Sequence, residues 1–347
     1  MSSYSTTTTT ADDGRRMAIT AVHSDIIQTL ILTKLDGPTL ISTSSASSQL
    51  KNLCSDDILW QKICNSYWPS TSNPLVQNAI STFPSGHRSL FSDSFPAILH
   101  HNTTTNICRT EYRNFSTPEL ISAVDIHFEE NILYSKVVKT ETKSGWFMAS
   151  PFRVDLLGHK ETVTTPVKFE GDDGICKSRL KENMKLSWIL IDPKKNRAVN
   201  MSSLKPVSVR RHWLTGELNV RYSTVMASGA DAGDGGGLVQ CGIVVTCEGK
   251  EGGELHVREV SMQVEDIDGK VLCGKDSLVI LQEAMEGRRK KGKEGEEKER
   301  YDKFLELRKL WRERKQRREK RSDMMCIVSG ITIFISFWTL IVLGSRS

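Results

Sequence analysis

Residues whose types and spacing could carry chemistry are few in this chain, and they do not converge. His100-His101 is a candidate metal pair, but no further ligands sit at metal-site spacing, so a solvated loop accounts for it better. The eight cysteines (54, 64, 108, 176, 241, 247, 273 and 326) include no C-x-x-C and no His pair at finger spacing. No structural zinc and no cofactor are therefore expected, and scattered thiols suit a reducing compartment. The glycine-rich stretch Gly229 to Gly237 lacks the Gly-Lys-Ser/Thr of a phosphate-binding loop. Asp266-x-Asp268-Gly269 copies the opening of a calcium loop without its closing Glu, and a hairpin turn explains it better. His212 and Trp213 form a candidate ligand surface, because an indole face stacks on sugars and peptides. A core Trp beside a surface His is the preferred reading of that pair. Asn102, Asn114 and Asn200 open N-x-S/T sequons, which are read as chance in a chain whose first residues contain no apolar secretory run. No catalytic residue emerges, so the expected chemistry is binding.

The elements that would organise such binding begin at Val22 and end at Trp68. Ser24 and Asp25 suit the start of a helix that carries Ile26, Ile27, Leu30, Ile31 and Leu35 at helical spacing. Asp36-Gly37-Pro38 stops it. Further apolar segments begin at Leu40-Ile41 and at Leu50 and Leu53. Ser55 is the expected N-cap of a last helix with Leu59, Trp60, Ile63 and Tyr67 on one face, which Pro69 ends. Short helices within about fifty residues cannot bury this much apolar surface alone, so a leftover stripe is expected to dock on a partner.

Ile26-Ile27, Leu30, Leu35 and Leu59-Trp60 resemble the pattern of the F-box. Val22-His23 stands where that family has Leu-Pro, and the middle segment, Ser42 to Ser48, is rich in Ser and Thr, which are poor helix formers. The resemblance to one group of plant F-box proteins continues through Trp68-Pro69-Ser70-Thr71 and Phe83 to Arg88. It continues again through Pro206 to Gly216, which includes His212 and Trp213, and from Val257 to Val279. It implies a Skp-family adaptor as partner, through it a cullin, and a β-rich domain that recruits a protein substrate. Ile26, Ile27, Leu30, Leu35, Leu40, Leu59 and Trp60 are then the expected core or adaptor-docking residues.

The rest of the chain follows in order. Residues 1–19 are low-complexity and are read as disordered, 20–68 as the F-box, and 69–115 as a helical or irregular connector with Phe91, Phe95 and Ile98 as contacts. Residues 116–286 hold several short alternating runs separated by turns, the pattern of an antiparallel β-sandwich or barrel. Asp268-Gly269 gives the sharpest hairpin signal, of type I′. The expected class is α+β: a small helical F-box, a β-sandwich-like domain, a basic helix and one C-terminal transmembrane helix.

Net charge is +5, but Arg288 to Arg321 holds seventeen Lys and Arg against eight Asp and Glu. That segment carries +9 and leaves about −4 for the remainder, so no nucleic-acid-binding body is expected. Tyr301, Phe304, Leu307 and Trp311 make a narrow stripe on a basic juxtamembrane helix over 287–323. Residues 324–343 are uncharged, and twenty residues reach about 30 Å, the thickness of a hydrocarbon core. The basic run could bind nucleic acid, form a solvated or coiled-coil helix, or touch anionic lipid; its place before the apolar stretch favours lipid.

These readings converge on a non-catalytic, substrate-recruiting subunit of an SCF-type ubiquitin ligase, tail-anchored with its bulk in the cytosol and the endoplasmic reticulum as the expected membrane. The alternative is a membrane-attached, lectin-like or other binding module in which the box serves a non-degradative assembly.

Overall fold

The computed structural model describes residues 23–95, 117–169, 173–227, 237–250, 252–287 and 295–344. Residues 1–19, Ile98, His100-His101, Asn102 and Asn114 lie outside them, as does the Gly229 to Gly237 loop apart from Gly237. The chain divides into two compact units, Met1–Tyr67 and Trp68–Ser347.

The first unit is helical. Helix α1 (Ser24–Ile26) runs on through a π turn at Ile27–Ile31 and a 3-10 turn at Leu32–Lys34. Asp36-Gly37-Pro38 ends that stretch and also starts the next, because the Asp36 carboxylate accepts from the Thr39 amide (3.1 Å) and Pro38 sits where a helix needs no N–H. Helix α2 (Gly37–Ser44) thus begins earlier than Leu40-Ile41. Its Ser residues bond back to the preceding turn, Ser42 to the Pro38 carbonyl and Ser44 to that of Ile41. Helix α3 (Ser48–Leu53) is capped by Ser47. Helix α4 (Asp57–Tyr67) is capped by Asp56 rather than Ser55: one Asp56 oxygen accepts from the Ile58 amide (3.0 Å) and the other from the Gln28 amide nitrogen (2.8 Å), tying α1 to α4. A carboxylate at this end meets the positive pole of the helix as well as its free N–H groups.

The second unit is α+β, built on two antiparallel sheets. Strands β1 (Glu119–Phe128), β2 (Asn131–Glu141), β5 (Met184–Asp192) and β6 (Arg197–Asn200) form one, in the order β2-β1-β5-β6. In the other, β3 (Arg153–Asp155), β10 (Glu254–Asp266), β9 (Leu238–Glu248), β8 (Leu218–Ala227) and β7 (Ser208–Arg211) follow in that order, and β4 (Val163–Lys168) also pairs with β10. One core gathers alternate residues of both sheets, among them Val124, Ile126, Trp188 and Leu190 from the first and Val220, Tyr222, Ile243 and Met262 from the second. Helices α8 (Asp173–Asn183) and α9 (Gly274–Glu286) add Leu180, Leu278 and Leu281. Before them in the chain, α7 (Gly145–Ala149) is a short turn under which Phe147 packs on Phe152.

Strand β1 is buried on both faces. Ile121, Ala123 and Asp125 point away from the inter-sheet core, and the stretch from Trp68 to Phe95, including α5 (Pro74–Ile80) and α6 (Gly86–Ser94), packs on the four-stranded sheet. Trp68 Nε1 donates to Ser187 Oγ (3.1 Å), the amide and hydroxyl of Ser70 donate to Asp125, and Asp93 accepts from the Ala198 amide (3.1 Å). Phe91 is fully buried and stacks on Phe95. The segment read as a connector is, over its described residues, a layer of the second unit. Its Ser/Pro-rich texture hid this because its anchors are hydrogen bonds to strands far away in sequence.

The last element also differs from expectation. Basic and apolar segments form one uninterrupted helix, α10 (Glu296–Gly344), that starts nine residues after Gly287. Its N-terminal part lies on the outer face of the six-stranded sheet, where Phe304 is buried with Val225 and Ile267 and is joined by Leu238 and Trp311. Tyr301 is buried too, but Leu307 is 44% exposed. Arg308 faces the sheet instead, and Leu307, one residue before it, is turned about 100° away. The hairpin tip after β10 receives this helix. Trp311 Nε1 donates to one Asp268 oxygen (2.8 Å), Lys315 Nζ to the other (3.1 Å), and Arg312 to the Asp268 carbonyl (3.1 Å). The turn is not type I′: Gly269 has φ +86° while Asp268 does not take positive φ. The Gly269 amide bonds to the Asp266 carbonyl and the Asp266 amide to that of Lys270, which is the pattern of a turn closed by a glycine bulge.

Candidate functional site

No pocket with reacting groups was foreseen, and among the described residues no three His, Cys, Asp or Glu side chains are placed to hold a metal ion. What the structure offers is surface.

In the first unit the seven singled-out residues separate into two sets. Ile27, Leu40, Leu59 and Trp60 are buried, with Trp60 wholly enclosed and its Nε1 donating to the Cys54 carbonyl at 2.7 Å. Leu35 is half-buried. Ile26 and Leu30 are exposed, Leu30 to 66%. They stand four residues apart on α1 and its continuation, which puts them on one side of it. Three more apolar side chains share this exposure: Ile31, Ile41 and Ile58, the last at 62%. Helical spacing marked Ile31 without telling inside from outside, and Ile58 was missed. Its only sequence signal is its position between Asp57 and Leu59, one residue off the buried face of α4.

In the second unit His212 and Trp213 lie on the loop between β7 and β8. Trp213 is 88% exposed and Leu214 71%, so the expected core Trp is in fact at a hairpin tip. The loop is well tied. The His212 amide donates to the Glu217 carbonyl (2.7 Å), Gly216 turns at φ +75°, and Thr215 bonds to His212 Nδ1 through its amide (3.2 Å) and hydroxyl (3.0 Å). The His212 and Trp213 rings stand 6.5 Å apart. A rigid mount therefore presents the indole to solvent. Trp213 closes the polar run Arg210-Arg211-His212, and that run was the available signal.

In the second unit, Asp125 and His127 depart from their ordinary ranges. Burial pushes the Asp125 carboxyl up from its ordinary range, against the hydrogen bonds from Ser70 and Ser135 that favour its charged form. Burial holds His127 below its usual 6.5, with the Asp125 charge opposing that shift and Lys185 adding to it. Cys64 in the first unit, and Cys241 and Cys247 in the second, are pushed up to about 12 by burial, which makes them inert thiols. Asn200 is buried, its side chain accepting from the Trp188 and Ser202 amides, which fits a sequon that carries no glycan.

Known proteins place this chain in a family. Over 335 residues, 94% of this chain, the sequence is 48% identical to F-box protein At2g27310 of Arabidopsis thaliana, of which 97% is covered. This chain belongs to the plant F-box proteins. Two further Arabidopsis relatives, probable F-box protein At2g36090 and F-box protein At3g44326, are each 44% identical, over 84% and 83% of this F-box protein and 81% and 80% of their own lengths. No family model and no solved structure matches it. The similarity spans both units, so the fold of this F-box protein is shared well beyond its first sixty-seven residues.

Proposed function

We propose that this protein is a non-catalytic, substrate-recruiting subunit of an SCF-type ubiquitin ligase. The exposed apolar set Ile26, Leu30, Ile31, Ile41 and Ile58 carries this reading, on a helical unit whose other large apolar residues are mostly buried. Such a set costs free energy in water and is offset when a partner covers it. The partner is a Skp-family adaptor, and through it a cullin. Ile27, Leu40, Leu59 and Trp60 form the interior that holds the docking side chains in place. The second unit recruits a protein substrate. The ligase works by proximity: holding target and ubiquitin carrier together raises their effective concentration, so no nucleophile is needed here.

Residues 324–343 anchor the protein in a membrane, that of the endoplasmic reticulum, with the N-terminal bulk in the cytosol. The stretch is helical and uncharged, and its described side chains are exposed. Lipid contact by the basic run narrows to the residues after Gln316, since Arg308, Arg312 and Lys315 are engaged by the β10 hairpin. Full-length protein purified from cells should bring down a Skp-type adaptor and a cullin, and should lose both when Leu30 and Ile58 are changed to Ala together. Recovery of neither from the wild type would end this reading.

The exposed Trp213 favours a second reading, a glycan- or peptide-stacking module. Glycan-dependent recovery without adaptor or cullin would support it over the first.

A further inference from the structure

Where α10 crosses the outer face of the six-stranded sheet, a cleft of about 720 Å³ remains between them. That lies within the roughly 300–1,000 Å³ typical of ligand pockets. Its sheet side is a two-by-two patch: Ser208 and Arg210 on β7, Asn219 and Arg221 on β8. The register sets Ser208 opposite Arg221 and Arg210 opposite Asn219, so all four share one face. Arg308, Lys309, Arg312 and Glu313 supply the charge on the helix side. Five cations thus face a single carboxylate.

The nearby acids neutralise this set only in part. Glu265 pairs with Arg308 at 3.6 Å, and Asp268 is taken by Trp311 and Lys315, leaving its carbonyl for Arg312. Arg210, Arg221 and Lys309 have no ion pair among the described residues, and Arg308 Nε is buried without a hydrogen-bond partner. Like charges gathered in a partly desolvated cleft repel one another and leave donors unused, and a multivalent anion relieves both costs. With Glu313 in the cleft and Glu265 on Arg308, three of the five cations are in excess, which suits a phosphate of about −1.5 to −2 better than one carboxylate. Arginine forks match phosphate oxygens two at a time.

We propose that this cleft binds a phosphorylated segment of the protein that the chain recruits. The proposal rests on the substrate-recruiting reading and names the chemistry it selects. Position along the helix favours a protein segment over a lipid headgroup. The twelve residues from Arg312 to Met324 rise about 18 Å, and a headgroup layer of about 5–7 Å leaves the charged membrane surface about 11–13 Å from Arg312, beyond the roughly 8 Å screening length. A cleft open along a helix and a strand pair also accepts an extended chain.

Full-length protein in neutral detergent would be titrated against short degenerate peptides carrying a central phosphoserine or phosphothreonine, followed by fluorescence anisotropy. The same peptides without phosphate and phosphatidylcholine vesicles containing phosphatidylserine would be run beside them. The phosphopeptides should bind at least about tenfold more tightly than their unphosphorylated forms and weaken with added salt. Arg210→Glu with Arg221→Glu should remove that preference, and so should Lys309→Glu, a solvent-accessible residue of the cleft lining whose change spares the sheet. Both variants should still capture the Skp-type adaptor. Equal binding of the two peptide sets would overturn the proposal, as would vesicle binding that is lost in these variants while phosphopeptides are ignored. Failure of the wild type to capture the adaptor would instead strike the ligase reading, leaving the phosphate preference to stand or fall on the anisotropy.

Discussion

Trp60→Ala removes a side chain that is entirely enclosed and whose Nε1 satisfies the Cys54 carbonyl. Emptying such a site costs about 3–5 kcal/mol, and leaving the carbonyl unpaired adds about 1–3 kcal/mol. The described part of the first unit runs from His23 to Tyr67. At about 0.05–0.15 kcal/mol per residue, its forty-five residues hold roughly 2–7 kcal/mol of stability. The substitution therefore takes most or all of what holds this unit together. Trp60→Phe keeps one six-membered ring but loses the pyrrole half and its hydrogen bond, and should cost less than Trp60→Ala, about 1–3 kcal/mol. Leu30→Ala changes an exposed residue and should move stability by no more than about 0.5 kcal/mol. Hydrogen exchange on the full-length protein in detergent separates the cases. Trp60→Ala should lose amide protection across α2 to α4 while strands β8 to β10 stay protected, and adaptor capture should vanish with it. Leu30→Ala should keep wild-type protection and lose capture. The reasoning fails if Trp60→Ala retains protection in α4, or if Leu30→Ala unfolds the unit.

Four other outcomes follow. Brief alkylation of the native protein at mildly alkaline pH should modify Cys273 in preference to Cys54, Cys64, Cys176, Cys241 and Cys247, which are buried; mass spectrometry showing early labelling of Cys241 would contradict the sheet packing. Gly269→Ala should loosen α10 from the hairpin, since its φ is +86° and a Cβ there would collide with Arg308 Nη2; expected is a loss of about 1–2 kcal/mol and faster tryptic cleavage between Arg308 and Lys315, and unchanged cleavage would count against the docking. The folded second unit resists protonating His127, so below pH 6.5 the unfolded chain takes up a proton that the folded one refuses and stability falls with pH; His127→Gln should flatten that fall between pH 7 and the depressed value, and identical melting curves would refute it. The full-length protein should resist alkaline carbonate extraction, with a sequon appended after Ser347 glycosylated and Asn200 bare; release by carbonate would end the anchor assignment.

Much of this protein was legible in its local sequence. Caps and apolar spacing announced the short helices between Ser24 and Tyr67, and alternation announced β1, β8, β9 and β10. These signals are local: a cap acts on the next turn, and a strand's two faces show in successive residues. A long uncharged run was equally plain, since its length needs no partner to be read.

Tertiary structure decided which face of each element meets what. Ile26 and Ile27 are identical in type and adjacent, yet one is exposed and the other buried, because the side of α1 that packs is fixed by the Gln28–Asp56 bond and the helices beyond it. Ser70 and Asp125, fifty-five residues apart, meet only after the sheet has formed, so nothing near Ser70 announces that it belongs to a layer of the second unit. The basic helix looked like a lipid contact because its charge is local in sequence. Its target, the acidic tip Glu265 to Asp268, is brought to it only by the β9–β10 pairing. The five cations of the cleft come from three elements, and their assembly reflects register and helix placement, two quantities that depend on contacts between distant residues and that no short window of the chain contains.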